Sequence, residues 1–491
     1  MDERNLTMLV DFYELTMGNG FLENGCGEEI AYFDMFYRKA PDNAAYAIAA
    51  GLEQVIDYIR SLKFTDEDIA YLRSKKLFDE KFLDYLRGFK FTCDVWAVPE
   101  GTPIFPSEPI LTVRGPVMQA QLLETMVLLS INHQSLIATK ANRIVTAAQG
   151  RPIMEFGSRR AQGYDAAILG ARAAYIGGVS GTACAIADRM YGIPALGTMA
   201  HSFVQLFDSE LDAFRAYAKV YPDECTLLID TYNVLKSGLP NAITVFRELE
   251  AQGHRGKGVR IDSGDIAYLS KQCRRMLDDA GLDYVGIVAS NSLDEYLIRD
   301  LLMQGAQINS FGVGERLVTS KSEPVFGGVY KLVAVEKDGR LIPKIKVSEN
   351  AVKITNPSFK TVWRLYDNES GKAVADVLTL SDEFIDDTQP YEIFDPVHTY
   401  KRKTLTNFTA KRLLVPIFEK GECVYESPSL PEIQRYCREQ LETIWEETRR
   451  FENPQTYYVD LSPQLWELKQ HLLRMAARGG EPPRADAVIG R

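Results

Sequence analysis

The chain has 491 residues, 46% of them hydrophobic, which is an ordinary globular composition with length enough for two or three domains. Its 67 acidic and 56 basic side chains leave a net charge of −11, which excludes broad attraction to nucleic acid or to an anionic membrane surface. The seven cysteines (Cys26, Cys93, Cys184, Cys225, Cys273, Cys423 and Cys437) are scattered without a CxxC pair, so neither a zinc site nor a disulfide framework is expected and a reducing compartment is.

The first residues, Met1-Asp2-Glu3-Arg4, lack the basic start and apolar stretch of a signal peptide. No apolar run approaches the ~20 residues of a membrane span, and the reading is a cytoplasmic protein. Residues 1–150 are mixed: apolar residues at helical spacing over Ala44–Leu62, a charged amphipathic stretch over Thr65–Gly88 opened by a capping pattern at Thr65-Asp66-Glu67-Asp68, short β-type runs over Phe91–Val113 broken by four prolines, and a long helical pattern over Gln119–Ala148.

From residue 151 to 328 the pattern becomes regular. Seven short apolar runs predict strands at Pro152–Phe156, Tyr175–Val179, Ile193–Leu196, Thr226–Ile229, Gly258–Ile261, Val285–Ala289 and Ile308–Phe311. Helical stretches lie between them at Ala161–Ala174, Phe203–Val220, Ala242–Gln252, Ile266–Gly281 and Leu293–Gln304. Consecutive βα units in this number predict an α/β fold with a closed or nearly closed β/α barrel; a doubly wound open sheet is the alternative. Residues 329–450 read as a returning β-rich part, with antiparallel strands at Val329–Val335, Lys344–Ser348, Thr361–Leu365 and Ala373–Leu378 and a charged helix over Pro431–Phe451. Residues 451–491 read as a C-terminal helix and tail, mobile around Gly479-Gly480-Glu481-Pro482-Pro483.

Barrel enzymes carry their chemistry at the C-terminal ends of the strands. Here those ends hold Phe156-Gly157-Ser158-Arg159-Arg160, Ser180-Gly181-Thr182, Thr198 and His201, Asp230-Thr231-Tyr232, Asp262-Ser263-Gly264-Asp265, Ser290-Asn291-Ser292 and Gly312-Val313-Gly314-Glu315. The small-residue turn from Gly177 to Thr182 and the Gly312–Gly314 turn suit close backbone approach to an anion, although neither is a P-loop or a dinucleotide fingerprint. Arg159 offers a guanidinium to phosphate at a strand end. Arg260 alternates with apolar Val259 and Ile261, so it must meet a carboxylate or an anionic ligand. Asp230 and Asp262 are candidates to hold Mg2+, to orient ribose hydroxyls or to stabilise cationic charge, whereas Asp265 reads as a helix N-cap. His201, one of five histidines, could act as base, ligand or nucleophile; His133 reads as a satisfied core or interface residue, and His254, His398 and His471 as surface. Tyr13 taken alone reads as a packed aromatic.

Five segments together, in order and spread over nearly the whole chain, resemble the nicotinate phosphoribosyltransferase family. They are Asp11-Phe12-Tyr13-Glu14-Leu15-Thr16-Met17, Glu155 to Gly163, Gly197-Thr198-Met199-Ala200-His201-Ser202, Arg260 to Asp265, and Gly327 to Leu332. The resemblance implies a type II phosphoribosyltransferase fold, an irregular β/α barrel with an α/β domain built from both chain ends, in a homodimer with shared active sites. It implies that nicotinate and 5-phosphoribosyl 1-diphosphate give nicotinate mononucleotide and diphosphate with ATP hydrolysis coupled, the first step of NAD salvage from nicotinate. By the same resemblance His201 is transiently phosphorylated by ATP. Phe156 and Tyr13, the latter from the partner subunit, sandwich the pyridine ring; Thr198 and Arg260 contact nicotinate or its neighbouring phosphoribosyl group; Arg159 meets phosphate or the ring carboxylate. Asp230 and Asp262 sit by the ribose and its Mg2+, and Gly312 and Gly314 cradle the 5′-phosphate. Ser180 joins the substrate-binding set from its own position, in the small-residue turn after the predicted strand Tyr175–Val179. Glu315 departs from the threonine of some members and is expected to turn away.

The chemistry agrees with these residue types. The pyridine nitrogen is itself the nucleophile, so no general base is needed, and Asp262 can stabilise the oxocarbenium character that builds as diphosphate leaves. A neutral imidazole can accept a phosphoryl group in line. Two other readings stay open: a nicotinamide-specific transferase of the same fold, disfavoured because no aspartate between Gly177 and Ala187 could meet an amide, and a catalytically silent nucleotide-binding regulator.

Overall fold

The computed structural model describes residues 4–350 and 353–477. The expected tail around Gly479–Pro483 lies outside the described residues. The chain forms two compact units, Met1–Leu136 with Val325–Arg491, and Ile137–Pro324. Among the described residues no helix is long and apolar enough to cross a membrane.

The first unit draws on both chain ends. Its largest sheet runs in the order Arg340–Pro343, Gly328–Lys337, Ile30–Tyr37, Leu111–Pro116, Asp94–Ala97, Val415–Glu419 and Glu422–Cys423, with antiparallel pairing throughout. The strand Ile30–Tyr37 is buried almost end to end, and its one carboxylate, Asp34, is matched by buried Lys360 at 2.7 Å and by the Thr112 hydroxyl at 2.8 Å. A second sheet holds Phe408–Arg412, Lys360–Asp367, Ala373–Leu380 and Tyr458–Leu461. The capping pattern at Thr65 is realised: its side chain accepts from Asp68 N, and the Asp68 carboxylate accepts from Thr65 N. The apolar run expected as a strand at Lys344–Ser348 is irregular; the strand is Arg340–Pro343, which pairs with Gly328–Lys337 across the Asp338-Gly339 turn.

The second unit is a parallel sheet with helices between its strands: β1 (Ile153–Glu155), β2 (Gly181–Thr182), β3 (Thr226–Leu228), β4 (Gly258–Ile261), β5 (Gly286–Ala289) and β6 (Ser310–Val313). The sheet order is β2-β1-β6-β5-β4-β3, so the first strand pairs with the last. That is the cyclic neighbour order of a β/α barrel rather than of a doubly wound sheet. Ala195 joins β2 through a single bridge to Thr182, and the ladder is interrupted between that bridge and β3. The strands are short and apolar because both faces are covered: Leu227, Val259, Ile261 and Ile287 are fully buried. The helix Ile266–Asp279 buries Ile266, Ser270, Cys273 and Leu277, a stripe at helical spacing. It starts at Asp265, whose side chain accepts from Tyr268 N at 3.0 Å, as the N-cap reading expects.

Three expectations in this unit need correction. Tyr175 and Ile176 are the last turn of the helix Tyr164–Ile176, and the strand comes later, at Gly181–Thr182. The Gly177–Thr182 segment therefore leaves a helix and enters a strand, and it opens no helix. Phe203–Val220 is two helices, His201–Gln205 and Glu210–Val220, the second capped by Ser209. β6 runs two residues further than Ile308–Phe311, so Gly312 and Val313 are strand residues and only Gly314 begins the turn.

Candidate active site

Arg260 is the hub of the second unit's polar edge. It sits in β4 with fully buried Val259 and Ile261 on either side, so its side chain takes the opposite face of the strand, the same face as Asp262 two residues on. Its Nη2 donates to Asp262 Oδ1 at 2.9 Å, its Nε to Ser290 Oγ at 2.8 Å, and its Nη1 to Thr198 Oγ1 at 3.1 Å. The guanidinium carbon lies 5.7 Å from the centroid of the Phe156 ring. Of the two partners expected for Arg260, a carboxylate or an anionic ligand, Asp262 supplies the carboxylate.

Asp262 is held from several sides. Its Oδ1 also accepts from the Ser290 hydroxyl in a short hydrogen bond, and its Oδ2 faces His201 Nε2 at 3.9 Å. Burial works against its charge, but the Ser290 hydrogen bond, the Arg260 charge and hydrogen bond, and nearby His201 outweigh it and hold the carboxyl below the usual aspartate range. Asp230 Oδ2 accepts from Asp262 N at 3.0 Å and from Ser263 Oγ at 2.6 Å, fixing the start of the loop after β4. Asp230 Oδ1 is buried without a hydrogen-bond partner among the described residues. His201 is the first residue of its short helix, and its Nδ1 is 3.1 Å from Thr231 Oγ1.

Phe156 follows β1 and is fixed through its neighbours. Phe156 N donates to Val313 O at 2.8 Å. Buried Glu155 accepts from Gly157 N with one carboxylate oxygen and from Thr182 Oγ1, at 2.6 Å, with the other. Burial raises the Glu155 carboxyl, and these two hydrogen bonds pull against that rise. A Cβ on Gly312 would stand 2.6 Å from two carbons of the Phe156 ring, and one on Gly314 3.0 Å from Phe156 O. Glycine at 312 is therefore what lets the ring lie against β6.

The structure brings Phe156, Thr198, His201, Asp230, Arg260, Asp262, Gly312 and Gly314 to one edge of the sheet. Arg159 follows on an exposed 3-10 turn with no side-chain hydrogen bond or ion pair among the described residues. Ser180 does not join them: its N donates to Ile153 O at the start of β1, the end of the strands away from Phe156. Glu315 is neutralised by Lys321 at 2.7 Å, a hydrogen bond that lowers its carboxyl's pKa. Ser290, Thr231, Ser263 and Glu155 stood in segments the sequence singled out without a role; their signal was position next to a strand end.

In the first unit, Tyr13 lies on the helix Phe12–Glu23 and is 43% exposed. Burial of its hydroxyl, then its hydrogen bond to Glu124, raises its pKa. Next to it buried Glu14 accepts from Thr125 Oγ1, and burial pushes its carboxyl up to about 7 against that hydrogen bond. His133, expected as a core or interface residue, is largely buried; its Nε2 has no partner among the described residues, and burial lowers its pKa.

Among the described residues no three His, Cys, Asp or Glu side chains gather to hold a metal ion. The orphaned Asp230 Oδ1 and the second oxygen of Asp262 offer two carboxylates. Mg2+ keeps waters and substrate phosphates and takes one or two carboxylates, so this pair suits a cation arriving with a diphosphate.

Comparison with known proteins agrees with the geometry. The model of the nicotinate phosphoribosyltransferase (NAPRTase) family matches residues 152–383, that of the family's N-terminal domain residues 8–132, and that of its C-terminal domain residues 359–469. The chain is 43% identical to the nicotinate phosphoribosyltransferase of Bacillus subtilis (strain 168) over 467 residues, 95% of this chain and 94% of that protein. The crystal structure of human nicotinic acid phosphoribosyltransferase superposes with a TM-score of 0.83 at 30% identity, covering 95% of this chain and all of that one. The structure of nicotinate-nucleotide pyrophosphorylase from Pyrococcus furiosus gives a TM-score of 0.69 at 25% identity, over 90% and 96% of the two chains.

Proposed function

Because the chain belongs to the nicotinate phosphoribosyltransferase family, we propose that it joins nicotinate to 5-phosphoribosyl 1-diphosphate, giving nicotinate mononucleotide and diphosphate, the first step of NAD salvage from nicotinate. The observation that carries this reading is the Arg260–Asp262–Ser290–Thr198 knot beside the Phe156 ring. In this reading the nicotinate ring stacks on Phe156, and its carboxylate meets the Arg260 guanidinium and the Thr198 hydroxyl. The guanidinium donates to Ser290, Asp262 and Thr198 and, at 3.5 Å, to Met199 O, which fixes the fork in place. A carboxylate suits such donors, whereas an amide would turn an N–H toward them; this favours nicotinate over nicotinamide.

The nicotinate nitrogen attacks the anomeric carbon with its own lone pair as the C–O bond to diphosphate breaks, and the electron pair leaves with diphosphate. Positive charge grows on the ribose, and Asp262, kept ionised by Ser290 and Arg260, stabilises it. Asp230 holds the backbone of Asp262 in register. Arg159 would offer its guanidinium to phosphate, and the backbone at Gly312 and Gly314 would seat the 5′-phosphate. Mg2+ brought by the diphosphate would be held by Asp262 and Asp230 and would supply charge neutralisation to the leaving group. His201 would take a phosphoryl group from ATP, the phosphohistidine later being hydrolysed, so that ATP and water become ADP and phosphate. Tyr13 would reach the second face of the ring from the partner in a homodimer.

The test is nicotinate mononucleotide formation by the purified chain from nicotinate and 5-phosphoribosyl 1-diphosphate, with and without ATP, and with nicotinamide in parallel. Product from nicotinate, increased by ATP, is expected. A preference for nicotinamide sinks the substrate assignment; nucleotide binding without turnover would make the chain a regulator.

A further inference from the structure

Ser290 closes the knot between two neighbouring strand ends. It follows β5, is 3% exposed, and its backbone N donates to Ile261 O at 3.0 Å, which seats it beside β4. Its hydroxyl accepts from Arg260 Nε and donates to Asp262 Oδ1, so its proton and one lone pair are both used. Arg260 Nη2 donates to that same Oδ1. Two donors therefore converge on one oxygen of Asp262, and the other oxygen is left toward His201.

The backbone after Ser290 is strained. Asn291 has φ of 116°, a conformation that side-chain-bearing residues rarely adopt. The turn is tied by Ser292 N to Asn291 Oδ1 at 2.7 Å and Leu293 N to Asn291 O at 2.6 Å. Opposite Ser290 the strand carries Gly312, where an added Cβ would stand 3.4 Å from the Ser290 Cβ. A buried hydroxyl at the end of a strained turn, with both its partners in the knot, is placed for those partners.

We infer that Ser290 is a positioning residue for the transfer: its hydroxyl joins Arg260 and Asp262 into one rigid group and turns the second Asp262 oxygen toward the reacting centre. This rests on the transferase reading. A carboxylate that acts on charge developing in the transition state contributes to turnover rather than to ground-state binding, so losing its orientation lowers kcat and spares KM. Displacing such a group by an ångström costs about 100-fold.

The experiment compares wild type, Ser290→Ala and Ser290→Thr in the full chain, by steady-state formation of nicotinate mononucleotide, with the thermal midpoint measured beside it. Ser290→Ala is expected to lower kcat about 100-fold while the KM for nicotinate stays within about threefold. Ser290→Thr, which keeps the hydroxyl, is expected to recover most of the loss. The inference is overturned if Ser290→Ala turns over like wild type, if it raises KM with kcat intact, or if Ser290→Thr is as impaired as Ser290→Ala. A wild type that forms no nicotinate mononucleotide overturns the function and the inference together; an active wild type matched by Ser290→Ala overturns the inference alone.

Discussion

Replacing Gly312 by alanine tests whether the Phe156 ring is the surface on which the substrate stacks. The new Cβ would stand 2.6 Å from Cδ2 and Cε2 of Phe156, where carbon atoms in contact settle at about 3.5–4.0 Å, so something must move by about 1 Å. The backbone cannot easily be what moves. Gly312 lies in β6, opposite Met154 of β1, while its neighbour Phe311 pairs with Ala289 of β5. The ring must therefore give, and with it the contact to Arg260. Overpacking of this kind costs about 1–3 kcal/mol, which leaves the fold standing. A stacked aromatic partner contributes about 0.5–1.5 kcal/mol, so the KM for nicotinate should rise up to about tenfold. A ring misplaced by an ångström should lower kcat by about 100-fold. Steady-state kinetics with nicotinate varied, on protein shown by circular dichroism to be folded, makes the measurement. A folded Gly312→Ala variant with wild-type KM and kcat would refute the placement of nicotinate on Phe156.

Four further outcomes follow from the same geometry. His201→Asn should abolish acid-labile label from γ-labelled ATP and with it the stimulation by ATP; label retained by the variant would exclude His201 as the phosphoryl acceptor. Arg260→Lys keeps the charge but loses the fork that serves Ser290, Asp262 and Thr198 together, so kcat/KM for nicotinate should fall by at least about tenfold; unchanged kinetics would mean that charge alone suffices. Glu295 is fully buried between Lys140 at 2.8 Å and Arg143 at 2.9 Å, so Glu295→Gln should cost about 3–5 kcal/mol in urea unfolding, and a loss under about 1 kcal/mol would contradict that pairing. Glu14, raised from 4.5 to about 7 by burial, favours the folded state fully below pH 4.5, and that contribution is lost as pH rises through about 7. Glu14→Gln should therefore gain urea resistance relative to wild type between pH 5 and pH 8; parallel pH profiles would show that the carboxyl does not titrate in this range.

The legible parts of the fold were those in which one local rule decides. Val259-Arg260-Ile261-Asp262 alternates with a period of two, and a guanidinium in a buried strand needs a carboxylate or an anionic ligand; the carboxylate two residues on is one partner. Asp265 before an amphipathic stripe reads first as a cap, and it is one. The same reasoning failed at Tyr175–Val179, because a short apolar run fits the last turn of a buried helix as well as a strand. That error carried Ser180 to the wrong end of the sheet. Gly312 reads locally as a turn glycine, since nothing local shows that the ring of Phe156, far away in sequence, fills the space its side chain would take.

What no local rule could give is the convergence itself. Thr198 and Ser290 meet Arg260 across separations of 62 and 30 residues, and only the parallel sheet makes them neighbours. In such a sheet every strand delivers its next residue to the same edge, so polar residues after successive strands are brought together whatever their spacing in the chain. His201 shows how far this reaches. Its segment enters the sheet through one bridge at Ala195, and Pro194, which has no N–H to give, contributes its carbonyl to Thr182 N. The ladder stops there, the chain leaves the sheet early, and a short helix begins at His201 itself. The interrupted strand is therefore what sets the imidazole between Thr231 and Asp262, with its side chain 41% exposed.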